Sequence, residues 1–251
     1  MNRFEGRTAI VTGAASGIGL ATARRLASEG AAVACLDVSA EGAKNAASEI
    51  SSPTGPKATG IACDVSNPDG VRQAVEDAAR QVGEPDILCN IAGIGRFYHT
   101  HELAPEDWSR IIAVNLTGTF LVSQAVLPYM LDRGGVIVNT ASTSGLVAQP
   151  YQAAYCASKG GVVMFTKALA LEYWDRHLRV NAIAPGGVDT PMVKEFADMP
   201  EGADFKRITR YMSPLGFCQP EEIAALFAYV ASDEARYMTG SIISLDGGIT
   251  L

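Results

Sequence analysis

The sequence lacks the cysteine and histidine patterns that hold disulfides or metal ions. Its five cysteines are odd in number, none stands in a C-x-x-C pair, and the three histidines add no metal-ligand spacing to them. We therefore expect no disulfide scaffold and no metal site, and free thiols are typical of a reducing compartment.

Basic runs, apolar leaders and long apolar stretches are also missing. The formal net charge is -7 with scattered acidic residues, which argues against nucleic acid or an anionic membrane as the main partner. The opening MNRFEGRTAIVTG runs into a strand-like segment without an apolar leader, and no 18-residue apolar run follows. We therefore expect a cytoplasmic protein that neither crosses nor binds a membrane.

Short apolar segments alternate with longer segments of helical periodicity. Strands are predicted near residues 8–11, 32–37, 58–63, 86–90, 136–140, 179–184 and 241–245. The clearest helices are predicted at residues 17–29, 68–82, 105–131, 154–175 and 220–231. This alternation predicts an α/β fold in which helices cover both faces of a doubly wound parallel sheet of about seven strands, in a single domain of residues 1–251. Residues 186–219 lack a clear strand and form either a mobile lid or a surface excursion.

A glycine-rich segment, IVTGAASGIGLA, joins the first predicted strand to the first predicted helix. Gly13, Gly17 and Gly19 stand where backbone N–H groups and the positive end of a helix dipole meet an anion. The spacing G-x-x-x-G-x-G differs from the commoner G-x-G-x-x-G, but both permit a tight turn and a close backbone approach to a diphosphate. With the predicted sheet, this loop favours a Rossmann-type fold, although a turn that needs positive φ would also explain glycines here.

An acidic residue ends the second predicted strand. Asp37 follows Gly19 by eighteen residues, where a carboxylate can accept hydrogen bonds from both hydroxyls of an adenosine ribose. Asp37 favours NAD(H) over NADP(H), because it would repel a 2′-phosphate and no arginine or lysine stands at residues 14–18, 38 or 39 to bind one. The alternative role of Asp37 is a helix N-terminal cap.

The segment YQAAYCASKGGV places Tyr155 four residues before Lys159. On a helix these two side chains emerge on one face, and a cation beside a phenol favours the phenolate. Free tyrosine titrates near pH ~10, so a lowered pKa would let Tyr155 exchange protons near neutral pH. The alternative is a packed ring beside a lysine that extends into water.

These motifs together resemble the classical short-chain dehydrogenase/reductase family over nearly the whole chain. The matching segments are TGAASGIG, CDV, NIAG, VNLTG, NTASTSG, PGGVDT and DGG, with Ile91 where the family has a second asparagine. The resemblance implies cofactor contacts from Gly13, Ser16, Gly17, Ile18, Gly19, Asp37, Val38, Asp64, Val65, Asn90, Ala92, Gly93, Tyr155, Lys159, Pro185, Gly186, Val188 and Thr190.

The same resemblance assigns four catalytic residues. Tyr155 is the general acid/base, and Lys159 lowers its pKa and holds the nicotinamide ribose. Ser142 hydrogen-bonds the substrate oxygen, and Asn115 either links the lysine to solvent through water or only kinks its helix. The resemblance also implies a homotetramer or homodimer, which agrees with the apolar circumference of helices 105–131 and 154–175.

The sequence identifies the substrate only as a class. An apolar pocket would suit a secondary alcohol or ketone such as a hydroxysteroid or alicyclic alcohol. Its candidate walls, which could equally pack inside loops, are Phe97, Tyr98, Val147, Tyr151, Met192 and Met212. Arg96, His99 and His101 either bind a polar substrate group or lie in solvent.

Three other functions remain open. A 3-oxoacyl carrier-protein reductase has similar length and motifs, but it usually uses NADPH and would need a basic docking patch for its acidic partner. A non-catalytic NAD-binding sensor would keep the glycine loop and Asp37 without needing the catalytic four. A methyltransferase would have no use for Tyr155 and Lys159.

Overall fold

The computed structural model describes residues 2–51, 56–195 and 199–251. Its seven-stranded sheet has the order β3-β2-β1-β4-β5-β6-β7, and every neighbouring pair is parallel. The strands are β1 (Thr8–Thr12), β2 (Ala32–Asp37), β3 (Ala58–Ala62), β4 (Ile87–Asn90), β5 (Gly135–Thr140), β6 (Leu178–Pro185) and β7 (Ile242–Leu245). The predicted doubly wound parallel sheet is confirmed.

Helices cover both faces of this sheet. They are α1 (Gly17–Ser28), α2 (Ala40–Ile50), α3 (Pro68–Val82), α4 (Pro105–Ile112), α5 (Gly118–Met130), α6 (Ala153–Glu172), α7 (Pro191–Glu195), α8 (Phe205–Thr209) and α9 (Pro220–Ala231). One apolar layer packs beneath α1 and α9, and a second packs beneath α3 and α5. The five predicted helices are present, and α2, α7 and α8 are additions to them.

The predicted helix at residues 105–131 is divided by a π-helical turn, Ala113–Thr117, between α4 and α5. From Pro105 to Met130 the helix is long enough and apolar enough to cross a membrane by those two criteria, and an 18-residue window within it has a mean hydropathy of 1.6. The sequence-based expectation of no such segment therefore has one exception. Here the helix lies in a layer of the fold between α3 and α6, where 44% of that window is buried.

The excursion predicted at residues 186–219 leaves the sheet after β6, and its residues 196–198 lie outside the described part of the chain. Its two ends meet at a parallel bridge between Val188 and Cys218. Cys218 donates its N–H to the carbonyl of Gly187 at 2.9 Å, and Asp189 donates to the carbonyl of Cys218 at 2.9 Å. This closure places α7 and α8 over the carboxyl edge of the sheet.

Candidate active site

Two adjoining cavities open at the carboxyl edge of the sheet, where the strand order reverses between β1 and β4. Open α/β sheets bind ligands at such a switch point. The larger cavity has a volume of about 700 Å³ and follows the glycine loop, and the smaller has about 390 Å³ and lies beneath α8. Both are lined by Ile18, Ile91, Gly93, Thr190 and Met192, so they form one continuous cleft.

The glycine loop folds tightly along the larger cavity. Gly13 has φ +67, and a Cβ there would lie 2.9 Å from the Cα of Ala92. A Cβ on Gly19 would lie 2.0 Å from the carbonyl oxygen of Gly13, so only glycine permits this contact between loop and helix. Ser16 precedes α1, and its side chain does not cap the helix. The first N–H groups of α1 and its positive dipole end are thus suited to a diphosphate.

The carboxylate of Asp37 lines the same cavity beside this loop. Its Oδ2 accepts from the N–H of Ala15 at 3.0 Å, and its Oδ1 accepts from the N–H of Ser39 at 2.9 Å. An ionised carboxylate has about four acceptor sites, so two remain for ribose hydroxyls. The N-cap of α2 is Ser39, whose hydroxyl accepts from Gly42, and this rules out the capping alternative for Asp37.

The far end of the larger cavity is lined by Val38, Asp64, Val65 and Arg110. Hydrogen bonds from the hydroxyl and the N–H of Ser66 lower the pKa of Asp64, and the charge of Arg110 lowers it further. Arg110 lies on α4 and was not among the sequence-based candidates, because the helix that carries it starts far from the nucleotide-binding motifs.

Among the candidate cofactor contacts, Asn90 alone lines neither cavity. Its Nδ2 donates to Ser123 Oγ at 3.0 Å and to Asn139 Oδ1 at 2.9 Å. Asn139 in turn donates to Thr166, so the network ties β4 and β5 to α5 and α6. The side chain of Asn90 thus supports the strands from which the loop Ala92–Gly93 leaves, and its predicted contact with the cofactor remains a prediction. Ala92 and Gly93 of that loop do line the larger cavity.

The predicted catalytic side chains meet in the smaller cavity. Ser142, just after β5, is hydrogen-bonded to Tyr155, and its Oγ also accepts from the N–H of Ser144 at 3.1 Å. Lys159 is only 3% exposed, and its Nζ donates to the carbonyl of Thr140 at 2.8 Å. The ammonium lies 5.8 Å from the centre of the Tyr155 ring. Serine, tyrosine and lysine therefore line one cavity.

Burial governs the protonation of this pair. It raises the pKa of Tyr155 to about 12, against a smaller lowering by the Ser142 hydrogen bond, and it lowers the pKa of Lys159 to about 8. The expected downward shift by Lys159 is not observed. The physical reason is that removal of the phenol from water disfavours its charged form, the phenolate, while the ammonium of Lys159 donates a hydrogen bond to the carbonyl of Thr140.

Asn115 lies in the π-helical turn and is fully buried. Its Oδ1 accepts from the N–H of Ile94 at 2.8 Å, and its Nδ2 donates to the carbonyl of Ile94 at 2.9 Å and to Ser158 Oγ at 3.1 Å. Through these contacts the carboxamide of Asn115 positions Ile94 and Ser158. The π-helical turn around Asn115 also agrees with the alternative that this residue kinks its helix. Its link to the lysine through water remains a prediction.

The remaining predicted cofactor contacts lie where the two cavities join. Pro185, Gly186 and Val188 line the smaller cavity, and Thr190 lines both. A Cβ on Gly186 would lie 2.9 Å from the Cα of Asp246, so the closing DGG segment packs directly on this loop.

The walls of the smaller cavity were only partly predicted. Of the candidate apolar residues, Phe97, Met192 and Met212 line it, whereas Tyr98, Val147 and Tyr151 do not. Arg96, His99 and His101 also lie outside it, and His99 packs edge-on against the ring of Tyr151 at 5.2 Å. The residues that sequence reasoning missed are Ser144, Gln149, Gln152, Val193, Met199, Phe205, Ile208, Tyr211, Phe217 and Ile249.

Comparisons with known proteins agree with this geometry. A family model described as Enoyl-(Acyl carrier protein) reductase matches residues 13–250. The chain is 43% identical to D-threitol dehydrogenase of Mycolicibacterium smegmatis over 99% of this chain and 95% of that one. It is 41% identical to the 3-oxoacyl-acyl-carrier-protein reductase FabG of Thermotoga maritima over 99% and 100%. A crystal structure of 3-ketoacyl-(acyl-carrier-protein) reductase from Brucella melitensis complexed with NADH has a TM-score of 0.89 and 35% identity, over 99% and 100%.

The fold and the site define an oxidoreductase with a dinucleotide-binding sheet. The chain belongs to the short-chain dehydrogenase/reductase family. This membership removes the methyltransferase alternative.

Burial of Lys159 predicts a specific dependence of stability on pH. The folded pKa of about 8 lies below the value of about 10.4 for an unfolded lysine, so the unfolded chain binds more protons between these values. Relative to Lys159→Met, the free energy of unfolding of the wild type should therefore increase by about 2 kcal/mol from pH ~7 to ~9.5. Urea unfolding at fixed protein concentration measures this difference.

Lys167→Met is the matched control, because Lys167 is exposed on the same helix. Its stability should follow the wild type across this range. A constant difference between the wild type and Lys159→Met would contradict a lowered pKa for Lys159.

Proposed function

We propose that this protein is an NAD(H)-dependent oxidoreductase that interconverts a secondary alcohol and a ketone of apolar body. The observation that carries the proposal is the meeting of Ser142, Tyr155 and Lys159 in a cavity that opens into the nucleotide-sized cleft along the glycine loop. A non-catalytic NAD-binding protein would have no need for this assembly beside a second, largely apolar cavity.

The residues of the larger cavity suit a nicotinamide dinucleotide. Gly13 and Gly19 leave no room for a side chain beside the loop, the start of α1 offers N–H groups to a diphosphate, and Asp37 keeps two acceptor sites. When bound, the nicotinamide ring supplies the hydride acceptor for oxidation or the hydride donor for reduction. The Brucella reductase named above was crystallised with NADH, which supports the same cofactor class for this chain.

Tyr155 and Ser142 handle the substrate oxygen in this proposal. Tyr155 accepts the alcohol proton as a phenolate during oxidation and donates its proton as a phenol during reduction, and Ser142 Oγ hydrogen-bonds the same oxygen. Lys159, held by Thr140 at the end of β5, keeps a positive charge beside the tyrosine and reaches toward the nicotinamide ribose. Burial holds the phenol in its protonated form, which suits a general acid.

A second candidate function is reduction of a 3-oxoacyl thioester on a carrier protein. The sequence has no basic run, but α8 presents exposed Lys206 and Arg207 and is followed by exposed Arg210. Phe205 and Ile208 of the same helix line the smaller cavity. These cations lie at the mouth of the site, where they suit an acidic partner. The similarity to the Thermotoga reductase also favours this candidate. Turnover of a 3-oxoacyl thioester above that of any alcohol would select it.

Association of several copies is part of the proposal. Met164 is 62% exposed and Leu171 is 75% exposed on α6, and Phe120 projects from the neighbouring α5. Apolar exposure of this kind marks an association surface. We place the protein in the cytoplasm as a homotetramer or homodimer.

Tyr155→Phe tests the acid/base role. Removing the hydroxyl should reduce turnover of a secondary alcohol by about 100-fold or more, while NADH still binds, because only the proton-transfer group is lost. NADH formation measured over a panel of alcohols, with Tyr237→Phe as the exposed matched control, checks this result. Turnover within a few-fold of the wild type would remove Tyr155 from the mechanism.

Asp37→Asn tests the cofactor preference. Asparagine keeps an acceptor oxygen for Ala15 but removes the charge that repels a 2′-phosphate, so the ratio of kcat/KM with NAD to that with NADP should fall by about 10-fold or more. Asp37→Ala should lower the ratio as well, with weaker binding of both cofactors. An unchanged ratio in both variants would show that another residue selects the cofactor.

Leu171→Glu tests the association surface. A carboxylate cannot be buried unpaired, so the mass measured by light scattering should fall from that of an oligomer toward that of the 26.4 kDa chain. Gln73→Glu, on the exposed face of α3, should leave the mass unchanged. A monomeric wild type would refute the proposed oligomer.

A further inference from the structure

The carboxamide of Gln152 has one end fixed and one end open. Gln152 is only 6% exposed and lines the smaller cavity, immediately before α6. The hydroxyl of Ser144 donates to its Oε1 at 3.0 Å. Within the described ranges, its Nε2 has no hydrogen-bond partner. Whichever way the carboxamide is turned, Ser144 holds one polar end and the other is available to a ligand in the cavity.

The fixed end of this carboxamide is linked directly to the reacting groups. Ser144 Oγ contacts Gln152, and Ser144 N–H donates to Ser142 Oγ at 3.1 Å. Ser142 in turn is hydrogen-bonded to Tyr155. Gln152 and the reacting groups therefore belong to one hydrogen-bonded chain that lines the same cavity, where a substituent beside the reacting oxygen can meet it.

The charges around the cavity select the kind of substituent. Among the described lining residues Lys159 alone is charged, and its Nζ donates to Thr140. A carboxylate, sulfonate or phosphate on the substrate would thus be buried without a dedicated cation, which is costly. A hydroxyl can donate or accept, so it matches either end of a carboxamide.

The opposite wall of the cavity is apolar. Met192, Phe205, Ile208, Met212 and Phe217 line it from the excursion after β6. This wall favours a hydrocarbon body on the face of the substrate that turns away from Gln152.

We propose that Gln152 binds a second, neutral hydroxyl of the substrate, so that the preferred substrates are apolar-bodied diols, of which alicyclic diols are the simplest. This inference rests on the proposed alcohol oxidation and adds a specificity-determining residue to it.

The test compares kcat/KM for cyclohexanol with kcat/KM for the 1,2-, 1,3- and 1,4-cyclohexanediols. At least one diol should exceed cyclohexanol in the wild type, and Gln152→Met should lower that diol-to-cyclohexanol ratio by about 10-fold or more, because methionine keeps the volume without the polar end. Ser144→Ala should lower the same ratio by releasing the carboxamide. Gln73→Met, at an exposed glutamine of α3, is the matched control and should keep the ratio.

The outcomes separate the inference from the function on which it rests. If the wild type oxidises none of these alcohols, nor any other secondary alcohol, the proposed function fails and the inference fails with it. If alcohols are oxidised but no diol is preferred, only the role of Gln152 is overturned. The same holds if Gln149→Met changes the ratio while Gln152→Met and Ser144→Ala do not. A lowered ratio in Gln152→Met, with NADH binding retained, supports the role of Gln152, whereas a ratio lowered only in Ser144→Ala overturns it.

Discussion

The hydrogen bonds of the Asn115 carboxamide are the constraint on which the rest of the site depends. They join both backbone polar groups of Ile94 to the π-helical turn and to Ser158 on α6. Ser158 directly precedes Lys159, and Ile94 directly follows the cofactor loop Ala92–Gly93. One buried side chain therefore sets the distance between the larger cavity and the catalytic helix. Without this side chain, the residues that line each cavity would remain, but no hydrogen bonds from Asn115 would fix the position of Ile94 relative to Ser158.

The site is assembled from groups that are unfavourable to bury. The ammonium of Lys159 and the phenol of Tyr155 both have pKa values displaced by burial, and Asn90 leaves its Oδ1 buried without a partner in the described structure. Such groups persist where a rigid surrounding structure holds them, and they concentrate at functional sites. Here the surrounding structure is the parallel sheet, since Thr140, Ser142 and Asn90 all stand at or just after the carboxyl ends of its strands. Stability is thus reduced at the edge where we propose that the chemistry takes place.

Local patterns made the fold and half of the site predictable from the sequence. Gly19 is required by its contact with Gly13, and Gly13 by its contact with Ala92, just after the neighbouring strand β4. Tyr155 and Lys159 share one helical turn. The spacing of these residues in the sequence is therefore enough to reveal them. The side-chain partners of Asn90, Ser123 and Asn139, could not be predicted because they are distant in sequence. The pKa of Tyr155 depends on burial, which spacing does not report. The walls from α8 reach the cavity only through the closure of the excursion at Val188 and Cys218.

We propose that the cleft beside Asp37 binds a nicotinamide dinucleotide without a 2′-phosphate. Parallel fluorescence titrations of the purified protein with NADH and NADPH test it most directly, before any substrate is chosen. We expect saturable binding of NADH and of NADPH, with NADH bound at least about 10-fold more tightly, since a 2′-phosphate would face the carboxylate of Asp37. Tighter binding of NADPH, or no binding of either, would contradict it.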